Sequence, residues 1–331
     1  MKIKSLNIKN FKSIVDITID EPNPFTVFVG PNGSGKSNIF EALEAIFLPS
    51  DISFDLLGGV KKIRNRNNSS QNISLFISFE PIDNQRLDIS VKNEDSNQIK
   101  KWWINAIPPF KNDENRESYK ERLIERASNF SRIFIENSKL NKLKLDTDRL
   151  LSLDCSNLEK VLKRLLEEEF KREEITDWLS LFIPEFDKIE VQKRPHSSKE
   201  DLLIYQKYFD EPFDRELISD GTYNIIALLT AVYQSDEPQF LCIEEPENGL
   251  HPFVIRKLVD FFRHACEDKG HYIWLNTHSQ TLVECLTADE VIVVDKVEGE
   301  TRTNQLKGTN LHGLDMAEYW LSGATGGGTP W

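Results

Sequence analysis

The chain has 331 residues, 39% of them hydrophobic and 29% charged, enough for one large or two ordinary soluble domains with a real core. No stretch approaches the about 18 consecutive apolar residues of a membrane span, and the opening "MKIKSLNIKNF" has no apolar signal region; neither a span nor export is indicated, and a cytoplasmic protein is expected. The net charge of −13 makes the surface as a whole repel nucleic acid, and four single cysteines without C-x-x-C spacing argue against a zinc site or a disulfide framework.

Along the chain, Val15, Ile17 and Ile19 alternate with polar residues, the pattern of a half-buried strand. The run "FTVFV" (Phe25 to Val29) is continuous instead, as in a parallel strand covered on both faces. It leads into "GPNGSGKS" (Gly30 to Ser37), then into a helix anchored by Ile39, Leu43 and Phe47. The basic run "KKIRNRN" (Lys61 to Asn67) is the best local patch for a DNA contact, against the ordinary reading of a solvated loop. Ile73, Leu75, Ile77 and Phe79, then Leu87, Ile89 and Val91, repeat the alternation and predict antiparallel strands. From 96 to 185 the composition turns charged and helical, with Leu158, Val161, Leu162, Leu165 and Leu166 marking one apolar helix face. "FLCI" (Phe240 to Ile243), "YIWL" (Tyr272 to Leu275) and "VIVV" (Val291 to Val294) predict three more buried parallel strands, and "DKVEGETR" reads as a hairpin turn. The expected organisation is an N-terminal lobe over 1–95, a compact helical insertion over 96–185 and a C-terminal lobe over 186–331, built as an α/β fold with a mixed sheet and an antiparallel sub-sheet.

Four motifs carry chemistry. In G-x-x-x-x-G-K-S, loop amides cradle a β-phosphate, Lys36 reaches the β/γ oxygens and Ser37 ligates Mg²⁺ at a helix N-terminus; Gly30, Gly33 and Gly35 are expected to give the backbone room. "FLCIEEPENGLHP" is a buried strand ending in two acids at the sheet edge where ligands bind. Glu244 is placed to hold Mg²⁺ through its water shell and Glu245 to orient or deprotonate the attacking water. "LISDGTYNIIALLTAVY" sets Ser219, Asp220, Gly221 and Thr222 before an apolar helix, which alone reads as an ordinary N-cap. "IWLNTHSQT" sets His278 just past a buried strand.

Together with the opening "LNIKNFKSIVDITI", these motifs resemble the ATP-binding-cassette ATPase heads of the SMC, RecF and OLD type, closest to compact bacterial ATPases of antiphage defence. The resemblance spans both ends of the chain and leaves out the insertion. It implies ATP and Mg²⁺ as cofactors, with Gly30, Pro31, Asn32, Gly33, Ser34, Gly35, Lys36, Ser37 and Asn38 at the nucleotide and Ser37 and Glu244 at the metal. It makes Ser219 to Thr222 the signature loop, acting in trans in a homodimer that sandwiches two ATP. It makes Glu245, His278 and Lys36 catalytic, His278 as the switch histidine, and carries Asn248 to His251 across the dimer interface. A separate effector protein, such as a nuclease, is expected beside it; RecF-like DNA repair and a nucleotide-sensing scaffold with little turnover are the alternatives. Three departures stand out: Asp220 replaces a signature glycine, Glu244 replaces the commoner aspartate, and the Q-loop glutamine has only Gln71 as a candidate. Trp102 and Trp103, and Trp320 and Trp331 in "EYWLSGATGGGTPW", are candidate anchors for a partner, against the equal reading that Trp320 packs on its own helix and the tail is disordered.

Overall fold

The computed structural model describes residues 2–47, 57–68, 71–80, 86–93, 99–106, 129–135, 147–193 and 200–326, with the backbone alone at 86–88, 92–93 and 99–106. The strands are β1 (Ile3–Phe11), β2 (Ile14–Asp20), β3 (Phe25–Val29), β4 (Ser74–Phe79), β5 (Arg86–Asn93), β6 (Ile99–Ala106), β7 (Phe130–Ile133), β8 (Phe186–Lys193), β9 (Glu200–Gln206), β10 (Phe240–Glu244), β11 (Tyr272–Thr277), β12 (Val291–Val297) and β13 (Glu300–Gln305). The helices are α1 (Lys36–Phe47), α2 (Val60–Ile63), α3 (Leu158–Glu167), α4 (Glu169–Phe182), α5 (Asp220–Tyr233), α6 (Pro252–Lys269), α7 (Gln280–Glu284) and α8 (Met316–Leu321).

Eleven strands form one mixed sheet in the order β6-β5-β4-β1-β2-β13-β12-β3-β11-β10-β7, and β8 and β9 form a separate antiparallel pair. The continuous apolar runs become the parallel part, β12-β3-β11-β10-β7, because helices cover it on both faces. The alternating runs become the antiparallel part. Strand alternation divides the core in two: Val27, Ile243 and Leu275 pack with α3 to α8 on one face, and Phe28, Cys242 and Trp274 pack with α1 on the other. Ile39, Leu43 and Phe47 of α1 are buried as expected. Helix α5 is buried from Tyr223 through Tyr233, as an almost entirely apolar helix must be.

The segment read as helical holds α3 and α4, yet its earlier described parts are strands. β6 pairs with β5 over its whole length, so the boundary drawn at 95/96 falls inside a hairpin, and β7 is the edge strand beside β10. β6 (IKKWWINA) holds two lysines and β7 (FSRI) an arginine, so neither shows the alternation or the continuous apolar run that marks a strand. Of the two readings of Trp320, packing holds: it is only 4% exposed, in the core beside α7, because the amphipathic turn of α8 has its own apolar face to bury. Trp331 and the side chains of Trp102 and Trp103 lie outside the described residues.

Candidate functional site

β3 ends at Val29, and the chain turns through residues 30–35 into α1. The loop is held from behind by the β12–β13 hairpin. Thr301 Oγ1 donates to the Ser34 carbonyl at 2.8 Å and shares a hydrogen bond with Ser13 Oγ at 2.6 Å, and Asn38 Nδ2 donates to the same Ser13 hydroxyl at 2.6 Å. A Cβ on Gly30 would overlap the Val294 carbonyl, and one on Gly35, at φ +108°, would overlap Thr301 Oγ1. The hairpin behind the loop therefore demands glycine at both positions, whatever the front of the loop holds. Gly33 meets nothing within 4 Å and is needed for its φ of +79°. Lys36 is buried and its ammonium donates to the Gly30 and Pro31 carbonyls at 2.6 and 3.1 Å. Burial lowers its pKa, against the opposing pull of Glu245, Glu247 and Glu244. Ser34 Oγ is buried without a partner.

The acidic pair stands at the end of β10, next to this loop. Ser37 Oγ donates to Glu244 Oε2 at 2.5 Å, and Asn276 Nδ2, across the ladder on β11, donates to the same oxygen at 3.3 Å. The other oxygen, Oε1, accepts from Arg132 Nε at 2.7 Å and from its terminal nitrogen. Glu245 sits at φ +47°, in the left-handed region, which few side chains other than glycine adopt without strain and which recurs at functional sites. Two bonds hold the kink: the Glu245 amide donates to the Asn276 carbonyl and to Asn276 Oδ1, both at 3.1 Å. Its carboxylate accepts from Asn248 Nδ2 at 3.1 Å and lies 3.5 Å from His278 Nδ1. Beyond it, buried Glu247 accepts a hydrogen bond from Thr277 Oγ1, which in turn accepts from the Ser279 amide at 2.9 Å. Burial pushes the Glu247 carboxyl up, and the Thr277 bond opposes that rise.

Ser219 caps α5: its hydroxyl accepts from the Thr222 amide. The loop is exposed and seated on the segment after the acids, since a Cβ on Gly221 would come 2.5 Å from the Gly249 carbonyl and Asn224 Nδ2 donates to the Asn248 carbonyl at 2.7 Å. Ser219, Asp220, Asn248, Gly249, His251 and Phe253 thus share one exposed face. No described contact joins Ser219 to Lys36 within the chain. Gln71 is not brought to the site either: it precedes β4, its side chain is exposed and its carbonyl accepts from Asn10 Nδ2 at 2.5 Å.

Residues 25–284 match a family profile described as "AAA domain, putative AbiEii toxin, Type IV TA system". The chain belongs to this AAA domain family. It is similar to an "ATP/GTP phosphatase" of Helicobacter pylori, 24% identical over 358 aligned positions that cover 96% of this chain and 95% of the relative. It is similar over 30% of its length to the "DNA replication and repair protein RecF" of Clostridium beijerinckii, of which that stretch covers 26%, at 28% identity. Among solved structures, an Smc head bound to the C-winged helix domain of ScpA matches with a TM-score of 0.60 over 92% of this chain and 97% of that one, at 17% identity. The fold is that of a P-loop ATPase head of the SMC and RecF kind.

Around this site the sequence left several residues unread. Arg132 was hidden as a lone cation in the apolar run "FSRIFI"; burial works against its charge, yet Glu244, Glu44 and Glu41 outweigh it and raise its pKa. Its NH1 donates to Glu44 Oε2 of α1 at 2.7 Å and lies 3.8 Å from Glu41, which also pairs with Lys12. Asn276 could have been found by laying "YIWLNT" beside "FLCIE" in parallel register. Thr301 had no local signal.

Proposed function

We propose that this chain binds ATP with Mg²⁺ in the loop from Gly30 to Asn38 and hydrolyses it, two copies closing around two nucleotides. The observation that carries the reading is the meeting of Ser37 and Glu244 at 2.5 Å, with the kinked Glu245 one residue further on and Lys36 beside it. A hydroxyl against a carboxylate, at the N-terminus of α1, is an oxygen donor set that suits Mg²⁺ and its water shell. The orphaned Ser34 hydroxyl and the amides opening α1 suit phosphate oxygens. Ser37 and Glu244 would hold the metal, which would supply positive charge against the phosphates. Lys36 swings its ammonium from the loop carbonyls to those oxygens. Glu245 takes a proton from the water whose oxygen attacks the γ-phosphorus as the bond to ADP breaks. His278, 3.5 Å from Glu245, orients that carboxylate and the γ-phosphate.

The exposed signature loop and the Asn248–His251 segment, joined through Gly221 and Asn224, supply the face that closes on the partner copy's phosphate loop. Control of a separate effector protein, and a place in bacterial antiphage defence, rest on the resemblance alone; a solved relative of the fold is an Smc head bound to a domain of another protein, ScpA. A DNA contact has local support in the exposed Lys61, Lys62 and Arg66 around α2.

The test is Glu245→Gln. With ATP and Mg²⁺ the variant should bind nucleotide, turn over roughly 10²-fold more slowly, the usual share of a positioned base, and sediment as a dimer. Turnover equal to the unmodified chain removes Glu245 from the mechanism, and a monomer at saturating ATP removes the sandwich.

A further inference from the structure

The signature loop carries an acid, Asp220, where a triphosphate must approach. We propose that Arg215 is the positioning residue that neutralises Asp220 in place, so that the loop can face the nucleotide of a second copy. The proposal rests on the ATP-sandwich reading above.

The local chain fixes Arg215. Asp214 accepts from the amides of Glu216 and Leu217 through Oδ1 at 2.9 and 3.3 Å, and from Leu217 and Ile218 through its carbonyl, both at 3.1 Å. This tight turn directs the Arg215 side chain back over the first turn of α5. There its guanidinium carbon lies 3.9 Å from the centroid of the Tyr223 ring, and NH1 lies 3.9 Å from Asp220 Oδ1. Burial raises the pKa of Glu159 on α3, and the same cation opposes that rise. A planar cation stacked on an aromatic face is held with little loss of rotamer freedom.

In the free chain this pair contributes little to folding, because the Arg215 and Asp220 side chains are 39% and 73% exposed and solvent screens them. Closure against a second copy removes water from that face. An unmatched carboxylate would then repel the triphosphate at low effective dielectric, and a matched one would not. The charge balance is thus felt in assembly and not in the fold, which separates this role from a structural one.

The experiment is a double-mutant cycle in the Glu245→Gln chain with ATP and Mg²⁺, read as the dimer dissociation constant by sedimentation. Arg215→Ala should weaken the dimer by at least about tenfold, because closure would then bury an unmatched carboxylate beside the triphosphate. ATP affinity of the monomer should stay unchanged, and any fall in melting temperature from the lost contacts with Tyr223 and Glu159 should be the same in both backgrounds. In an Asp220→Asn background the same substitution should change the constant by less than about twofold, since mutations that share no remaining partner add independently. Arg215→Lys, which keeps the charge, should retain most of the affinity. A dimer indifferent to Arg215→Ala overturns the proposal, as does an equal loss in both backgrounds, which would mean that Arg215 meets phosphate directly. A Glu245→Gln chain that stays monomeric overturns the sandwich, and this proposal with it.

Discussion

Replacing Arg132 by Met tests how the acidic edge of β10 is held. The substitution keeps much of the volume and removes the cation, leaving Glu44 and Glu244 without their shared partner and Glu41 with Lys12 alone. Removing one member of a buried ion pair costs about 3–5 kcal/mol, because the remaining charge stays desolvated. Unfolding entropy is about 2.1 cal/mol/K per residue, so 331 residues give roughly 0.7 kcal/mol per degree and a fall in Tm of about 4–7 °C. Thermal melting followed by circular dichroism reads this directly. Adding Glu44→Gln to the variant should return part of the loss, since it removes one of the stranded charges. A fall of less than about 1 °C, or a further fall when Glu44→Gln is added, would refute the account of Arg132 as the counter-ion of both acids.

Gly35→Ala should put a methyl group into Thr301 Oγ1 at a φ that disfavours it, a strain of about 1–3 kcal/mol; titration with a fluorescent ATP analogue should show binding weakened by roughly tenfold or more. His271 is buried between the Gln239 amide, which donates to its Nδ1, and the Val232 carbonyl, and burial lowers its pKa to about 4. Its folded pKa lies below the unfolded one, so the stability it contributes is complete above about pH 6.5 and is lost as pH falls toward 4, about 3 kcal/mol in all. Urea midpoints of His271→Leu measured against the unmodified chain should converge across that window; parallel curves would refute the assignment.

The parallel strands β3, β10, β11 and β12 were legible because both of their faces are buried, and the antiparallel β2, β4 and β5 because only one is, whereas β6 and β7, with cations inside them, were read as helical. Gly30 to Ser37 and the pair Glu244–Glu245 were legible because a phosphate loop and a carboxylate-tipped strand need fixed spacings in one local stretch. Arg132, Asn276 and Thr301 were not, since each acts across the sheet from a strand distant in sequence, and neither charge pattern nor period marks a cross-strand partner. The kink at Glu245 was equally silent: the two bonds that hold it come from Asn276, and a left-handed glutamate has no sequence signature.

The grip of Thr301 on Ser34 spans 267 residues. A ribosome adding about 5–20 residues per second takes roughly 15 to 50 s to cover that distance. Throughout that interval the phosphate loop has been made and the hairpin that shapes its back has not. Nucleotide capture therefore waits on the synthesis of β13, and an interrupted product ending before β13 carries the whole loop sequence without the support that shapes it.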